Sequence, residues 1–133
     1  MSESNVLVSI IIPHWNGIET LSECLTSLTK TNYKSFEIIV VDNCSTDGSQ
    51  EWVKMNYPNI TLIENGENYG YAGGCNHGLK ATNGELVVFL NNDTIQDPMW
   101  LSHLVDFILQ NPEIAALQPK ILNYFDKSIF DYA

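Results

Sequence analysis

The most restrictive feature of this chain is a set of nearly unbroken apolar runs, each ended by a polar or proline-containing segment. Val6-Leu-Val-Ser-Ile-Ile-Ile12 stops at Pro13, and Phe36-Glu-Ile-Ile-Val-Val41 stops at Asp42. Ile60-Thr-Leu-Ile63 and Leu86-Val-Val-Phe-Leu90 repeat the pattern. A strand with one wetted face alternates polar and apolar residues, so continuous runs predict strands buried on both faces. Between them lie segments of helical period. Leu21, Cys24, Leu25 and Leu28 recur at i, i+3, i+4 and i+7, which predicts a helix over 18–31. A second helix is expected after the polar turn Asp42–Gly48, capped by Ser45 or Thr46 and closed near Tyr57 by Pro58. A third is expected in the later half of the glycine-rich stretch 65–78, running to Thr82. A fourth is opened by Asp97-Pro98, with Trp100, Leu101, Leu104, Val105, Ile108 and Leu109 on its apolar face. Ile114–Leu117 is a candidate fifth strand, and nothing regular is expected beyond Pro119.

Strand–helix alternation of this kind predicts an α/β fold: a mainly parallel sheet with helices on both faces, in one domain spanning 1–133. Composition narrows the function. Six lysines and no arginine stand against 16 acidic residues, a formal charge of −10. Nucleic-acid binding relies on Lys and Arg to neutralise phosphates, so nucleic acid is excluded as a partner. By the same argument an anionic ligand here would need a metal cation rather than an arginine clamp. Cys24, Cys44 and Cys75 are widely spaced and odd in number, which argues against a disulfide framework or a zinc site and for a reduced, cytoplasmic setting. No leader-like or membrane-spanning stretch is apparent.

In open parallel sheets ligands bind outside the carboxyl ends of the strands. Four polar clusters are expected on that rim: Pro13-His-Trp-Asn16, Asp42-Asn-Cys-Ser45, Asn68-Tyr-Gly-Tyr71 and Asn91-Asn-Asp93. Several of these residues carry two readings. Asp42 and Ser45 either face a ligand, with the Asp42 carboxylate accepting from a base imide, or cap the next helix. Asp93, with Asn91, either ligates a hard cation through oxygen or forms an ordinary turn. The four glycines between Asn68 and Gly78 either admit a ligand or let a helix pack closely on the sheet. His14, His77 and His103 do not share metal-ligand spacing and read as ordinary polar residues, and Trp52 and Trp100 read as core.

Taken in order, Val8–Asn16, Glu37–Gly48, Asn68–Gly78 and Gly84–Asp93 resemble family 2 glycosyltransferases of the GT-A architecture over residues 6 to 120. The Asn-Asn-Asp and Asn-x-Gly-Tyr variants are similar to the bacterial rhamnosyltransferase-like branch. The resemblance implies a Rossmann-like nucleotide-binding half whose donor pocket is lined by Pro13, Asn16, Asn68 and Gly70. It implies Asp42, with Ser45 beside it, on the nucleobase imide and Asn92 near the ribose. Asn91–Asp93 would stand where the family has its DxD motif, with Asp93 and Asn91 holding Mg²⁺ or Mn²⁺. The implied reaction is transfer of a sugar from a UDP- or dTDP-sugar to a saccharide or lipid-linked acceptor hydroxyl, with inversion. It would serve cell-surface polysaccharide synthesis, in the cytoplasm or at the inner membrane face. Two departures matter: many members carry Arg where Cys75 stands, and Asn91 replaces the first acid of DxD. The family's acceptor region and catalytic base would lie downstream, so the chain reads as a truncated donor-binding portion, with self-association through exposed apolar surface expected of it. The alternatives are a non-catalytic nucleotide-binding or regulatory module and, more weakly, a receiver-like domain phosphorylated on Asp42.

Overall fold

The computed structural model describes residues 5–132. Strand β1 (Val8–His14) leads to helix α1 (Ile18–Leu28), then β2 (Phe36–Asp42), α2 (Ser49–Asn56), β3 (Thr61–Glu64), α3 (Gly70–Leu79), β4 (Leu86–Phe89) and α4 (Trp100–Gln110). A short antiparallel pair follows, β5 (Ile121–Leu122) with β6 (Phe130–Tyr132). The four longer-range strands form one parallel sheet in the order β3-β2-β1-β4. The chain therefore builds outward from β1 in one direction and then returns to its other side with β4. That reversal, between β1 and β4, is the switch point at which open α/β sheets leave a crevice.

Register divides the strand residues between two faces. Val8, Ile10 and Ile12 of β1 align with Phe36, Ile38 and Val40 of β2. Their face is covered by Leu21, Cys24, Leu25 and Leu28 of α1, Val53 of α2, and Leu101 and Val105 of α4. Ile11, Ile39 and Val41 lie on the opposite face, against which α3 packs. Helices thus cover both faces, as continuous apolar strands require. Coverage of the second face is incomplete at its edge: Val87 and Phe89 of β4 share it and remain 37% and 49% exposed.

Helix α3 approaches the sheet through glycines four residues apart. A Cβ at Gly78 would meet Ile11 Cγ2 at 2.5 Å, and one at Gly74 would meet Pro13 Cβ at 3.1 Å and Asn43 Nδ2 at 3.2 Å. The close-packing reading of the glycine-rich stretch therefore holds for Gly74 and Gly78. Gly70, with φ +71° at the start of the helix, belongs to the turn that enters it.

Several boundaries differ from the expectation. Ser45 and Thr46 do not cap α2. Its N-cap is Gly48 in the left-handed region, and Asp47 Oδ1 accepts the Ser49 N–H. Helix α1 ends at Leu28, three residues early, where i→i+3 bonds from Lys30 and Thr31 tighten the chain. The third helix likewise ends at Leu79 rather than Thr82. Pro98 lies before α4 rather than in its first turn, and Asp97 Oδ1 takes the Met99 N–H. Ile114–Leu117 forms no strand, since no neighbour offers it a ladder, and the pairing falls instead on β5 and β6, beyond Pro119. Among the described residues no helix is long and apolar enough to cross a membrane.

Candidate nucleotide site at the sheet switch point

Pro13 explains why the sheet opens where it does. Residues of β1 face β4 and β2 alternately: Ile11 O accepts the Leu90 N–H, whereas His14 O accepts the Asn43 N–H. The backbone nitrogen of Pro13 faces β4 and carries no hydrogen, so the β1–β4 ladder stops at Leu90. The chain beyond turns away, and a cleft of about 280 Å³ lies at the gap. Pro13, His14, Trp15 and Asn92 line one part of it, and Asn43, Asn68, Gly70 and Tyr71 the other. The volume is just under the usual range for small-molecule pockets. Trp15 and Tyr71 are exposed at its mouth.

The walls are tied by amide chemistry. Asn68 Oδ1 accepts the Gly70 N–H at 2.8 Å, and Asn43 Nδ2 donates to Gly70 O at 3.0 Å. Asn43 Oδ1 accepts from Asn65 Nδ2, and Asn65 Oδ1 faces His77 Nδ1, each at 2.8 Å. An amide oxygen only accepts, so His77 carries its proton on Nδ1. These bonds fix the entry to α3, whose N-terminus borders the cleft and places the positive end of its dipole there.

The expected site residues are distributed unevenly. Pro13, Asn68, Gly70 and Asn92 line the cleft. Asn16 and Ser45 instead lace the β1–α1 loop to the β2–α2 loop: Ser45 Oγ accepts the Asn16 N–H and Asn16 Oδ1 accepts the Thr46 N–H, both at 2.8 Å. Asn16 holds a left-handed φ of 53° to do so. Asp42 is 1% exposed, and its Oδ2 accepts from Ser45 N–H at 2.9 Å and Gln50 Nε2 at 2.6 Å. Its Oδ1 is buried with no partner among the described residues. Such an acceptor costs about 1–3 kcal/mol and calls for a donor, but it is closed to solvent, so a ligand N–H reaches it only if surrounding loop atoms move. Both readings of Asp42 therefore keep an observation each, a turn carried by Oδ2 and an unmatched Oδ1.

Asp93 is exposed on the segment after β4, and no hydrogen bond engages its carboxylate among the described residues. The backbone oxygen of Asn91 accepts from Thr94 Oγ1 at 2.9 Å, and the Asn91 side-chain amide has no hydrogen-bond partner among the described residues. No group of three His, Cys, Asp or Glu side chains capable of holding a metal occurs among the described residues. The donor set fits a hard cation that takes one carboxylate and fills its sphere with water and phosphate oxygens, and does not fit an all-protein cage. Strands β2 and β4 flank β1, so Asp42, at the end of β2, and the Asn91–Asp93 segment, past the end of β4, belong to strands roughly 10 Å apart.

His14, read from the sequence as an ordinary polar residue, is the residue the periodicity missed. It is 2% exposed at the end of β1, with Nε2 2.8 Å from Ser49 Oγ and Nδ1 2.9 Å from Asn92 Nδ2. Its position directly after Pro13, at the end of the apolar run 6–12, was the available signal. Burial lowers its pKa, against the opposing pull of Asp42 and Asp47. Because the unfolded state then binds the proton more readily, stability is fully present above the ordinary histidine pKa of about 6.5 and is lost as the pH falls below it. Urea midpoints at pH 7.5 and pH 5.5 are expected to diverge for the native chain and to draw together in His14→Gln. Equal pH sensitivity in both would show that another group carries it.

Residues 9–129 match the Glycosyl transferase family 2 profile, and the chain belongs to that family, whose members are enzymes. An Escherichia coli relative, the UDP-Glc:alpha-D-GlcNAc-diphosphoundecaprenol beta-1,3-glucosyltransferase WfgD, is 32% identical across 81% of this chain and 46% of its own. S. aureus TarS, solved in complex with UDP, superposes with a TM-score of 0.74 at 30% identity, over 80% of this chain and 33% of TarS. The mannosyltransferase PcManGT of Pyrobaculum calidifontis, solved with GDP-Man and Mn²⁺, gives 0.73 at 27% identity, over 87% and 34%. The chain spans less than half the length of these proteins. The α/β fold with its parallel sheet is that of GT-A glycosyltransferases.

Proposed function

We propose that this chain is the donor-binding portion of a glycosyltransferase that uses a UDP- or dTDP-sugar, in the rhamnosyltransferase-like branch, and acts with inversion on a saccharide or lipid-linked acceptor hydroxyl. The observation that carries the reading is the cleft at the β1–β4 gap, bounded by Pro13, Asn92 and the N-terminus of α3. Relatives whose names or bound ligands include UDP, UDP-glucose and GDP-mannose support it. In this reading Trp15 and Tyr71 offer apolar surface to the base or sugar, Asn68 and Gly70 hold the floor, and Asn92 meets the ribose. Asp42 Oδ1 takes the base imide once the β2–α2 loop shifts, with Asn16 and Ser45 setting that loop's shape. Asp93 and the Asn91 carbonyl would hold Mg²⁺ or Mn²⁺, which supplies Lewis-acid stabilisation to the departing diphosphate. No described residue is assigned the role of general base in this reading. A cytoplasmic setting, at the inner membrane face in a longer protein, is part of the same proposal.

Calorimetry of this chain with UDP, dTDP and GDP, with and without Mn²⁺, tests it. Binding raises stability by RT ln(1 + [L]/Kd), about 2.7 kcal/mol at a hundredfold excess over Kd, so melting should rise by several degrees. No binding of any nucleotide in either condition would sink the proposal. Binding without transfer, when the chain is supplied with acceptor and the missing portion of a family member, would favour a non-catalytic module.

A further inference from the structure

The bonds around His14 form a line whose direction follows from donor and acceptor counting once Asp47 is ionised and His14 neutral. Asp47 Oδ2 accepts the Gly17 N–H at 2.7 Å, and Oδ1 accepts both the Ser49 N–H at 3.0 Å and the Ser49 hydroxyl. Burial works to raise the pKa of Asp47, but these hydrogen bonds outweigh it and hold the group below the usual carboxylate range. Asp47 is therefore an acceptor only. Ser49, 1% exposed, spends its single O–H on Asp47, so towards His14 its oxygen can only accept. His14 Nε2 must then carry the hydrogen. A buried neutral imidazole with Nε2–H leaves a lone pair on Nδ1, which requires a donor from Asn92, and the amide nitrogen stands 2.9 Å away. The remaining atom, Asn92 Oδ1, has no partner among the described residues, on a side chain that lines the cleft.

We propose that His14 is a positioning residue: through Asp47, Ser49 and itself the fold fixes the Asn92 amide with its oxygen towards the ligand, so that the site selects a hydroxyl donor, a ribose hydroxyl of the nucleotide. The inference rests on the proposed nucleotide site for its ligand, and for the tautomer on hydrogen-bond geometry with Asp47 ionised and His14 neutral. It gives the loop sequence Asp47-Gly48-Ser49 a role beyond starting α2. It also explains why a histidine, rather than an aliphatic residue, is buried at the end of a strand whose other inward side chains are Val8, Ile10 and Ile12. Free amides rotate and offer either end to a ligand; an amide whose nitrogen is held by Nδ1 offers only its oxygen.

The test has two arms. First, nitrogen-15 NMR of the native chain should report His14 as the Nε2–H tautomer, with its unprotonated Nδ1 coupled to an Asn92 side-chain proton. An Nδ1–H tautomer would overturn the proposal whether or not nucleotide binds. Second, calorimetry compares UDP with its 2′-deoxy and 3′-deoxy analogues. One of the two hydroxyls should be worth about tenfold in Kd to the native chain, the scale of one hydrogen bond. His14→Phe should erase that preference with little change for the matching deoxy analogue, and His14→Gln, which can accept from Asn92 and donate to Ser49, should restore it to within about threefold. Asn92→Ala should erase it equally, and the double variant His14→Phe/Asn92→Ala should lose nothing more. Retention of the hydroxyl preference in Asn92→Ala, a folding-independent check should His14→Phe not fold, would overturn the proposal. Absence of UDP binding by the native chain, with the expected tautomer seen, removes the nucleotide reading and leaves the amide orientation standing.

Discussion

Gly78→Val is expected to be the most destabilising single substitution near the site, lowering stability by about 3 kcal/mol or more, against a total of roughly 5–15 kcal/mol for a domain. Its first added atom alone would lie 2.5 Å from Ile11 Cγ2, 3.1 Å from Val41 Cγ2 and 3.3 Å from Ile11 Cγ1. Ile11 and Val41 are wholly buried in adjoining strands, so the sheet cannot yield, and α3 must lift instead. Lifting α3 separates Gly74 from Pro13 and breaks the Asn43–Gly70 bond that holds the cleft's edge. Urea unfolding followed by circular dichroism reads the loss. Gly66→Val is the control, because nothing lies within 4 Å of a Cβ there and its φ is not left-handed. Adding Ile11→Ala to Gly78→Ala should return part of the stability, since it removes the nearest of the colliding atoms and leaves Val41 Cγ2. A Gly78→Val chain as stable as the control would contradict the close approach of α3 to β1.

Asp93→Ala is expected to behave in the opposite way, harmless to the fold and severe for the ligand. The side chain is exposed and unpaired among the described residues, so the urea midpoint should stay within about 0.5 kcal/mol of native, as for ordinary surface positions. If Asp93 supplies the protein's only carboxylate to a divalent ion on the diphosphate, its loss removes about 3 kcal/mol, roughly a hundredfold in Kd measured with Mn²⁺. Affinity without metal should be unchanged or slightly better, because a negative charge near the phosphates has gone. Asn91→Ala should cost less, as a neutral carbonyl binds a hard cation more weakly than a carboxylate does. Nucleotide affinity that still responds to Mn²⁺ in Asp93→Ala would move the metal site elsewhere.

The parallel sheet was legible because burial on both faces leaves a direct trace: a strand with no wetted side has no polar residue to alternate. The rim followed from the same reasoning, since parallel strands must all end on one edge, and Pro13, Asp42 and Asn92 stand at or just past the ends of their runs. The amphipathic period placed α1 and α4 for a comparable reason. Each presents one stripe to the sheet, with Leu21, Cys24, Leu25 and Leu28 of α1 and Leu101 and Val105 of α4 buried.

Ends and partners were not legible to the same degree. The true cap of α2 depends on Gly48 adopting a left-handed φ and on Asp47 reaching Ser49, a local outcome that composition does not separate from capping by Ser45 or Thr46. Ile114–Leu117 has the residues of a strand but no neighbour to bond, whereas Ile121–Leu122 has little propensity signal and a partner at Phe130–Tyr132. Phe89 and Val87 read as core from their run and are half-exposed, because α3 covers β1 and β2 and stops short of β4.

By itself, then, the order of residues determined the class of fold, the sheet's direction and the edge on which polar side chains gather, all of which depend on near neighbours and periodic burial. Only the tertiary structure decided that Asn16 and Ser45 bind each other's loops, that Asp42 spends one oxygen on a turn and keeps the other unmatched, and that His14 joins Ser49 to Asn92. The Asn16–Ser45 and His14 outcomes depend on which residues 29, 35 or 78 positions apart arrive within hydrogen-bond distance, and the Asp42 turn, though local, leaves its other oxygen to whatever packs around it. Such meetings are set by packing across the sheet, and they leave no periodic mark in the chain that makes them.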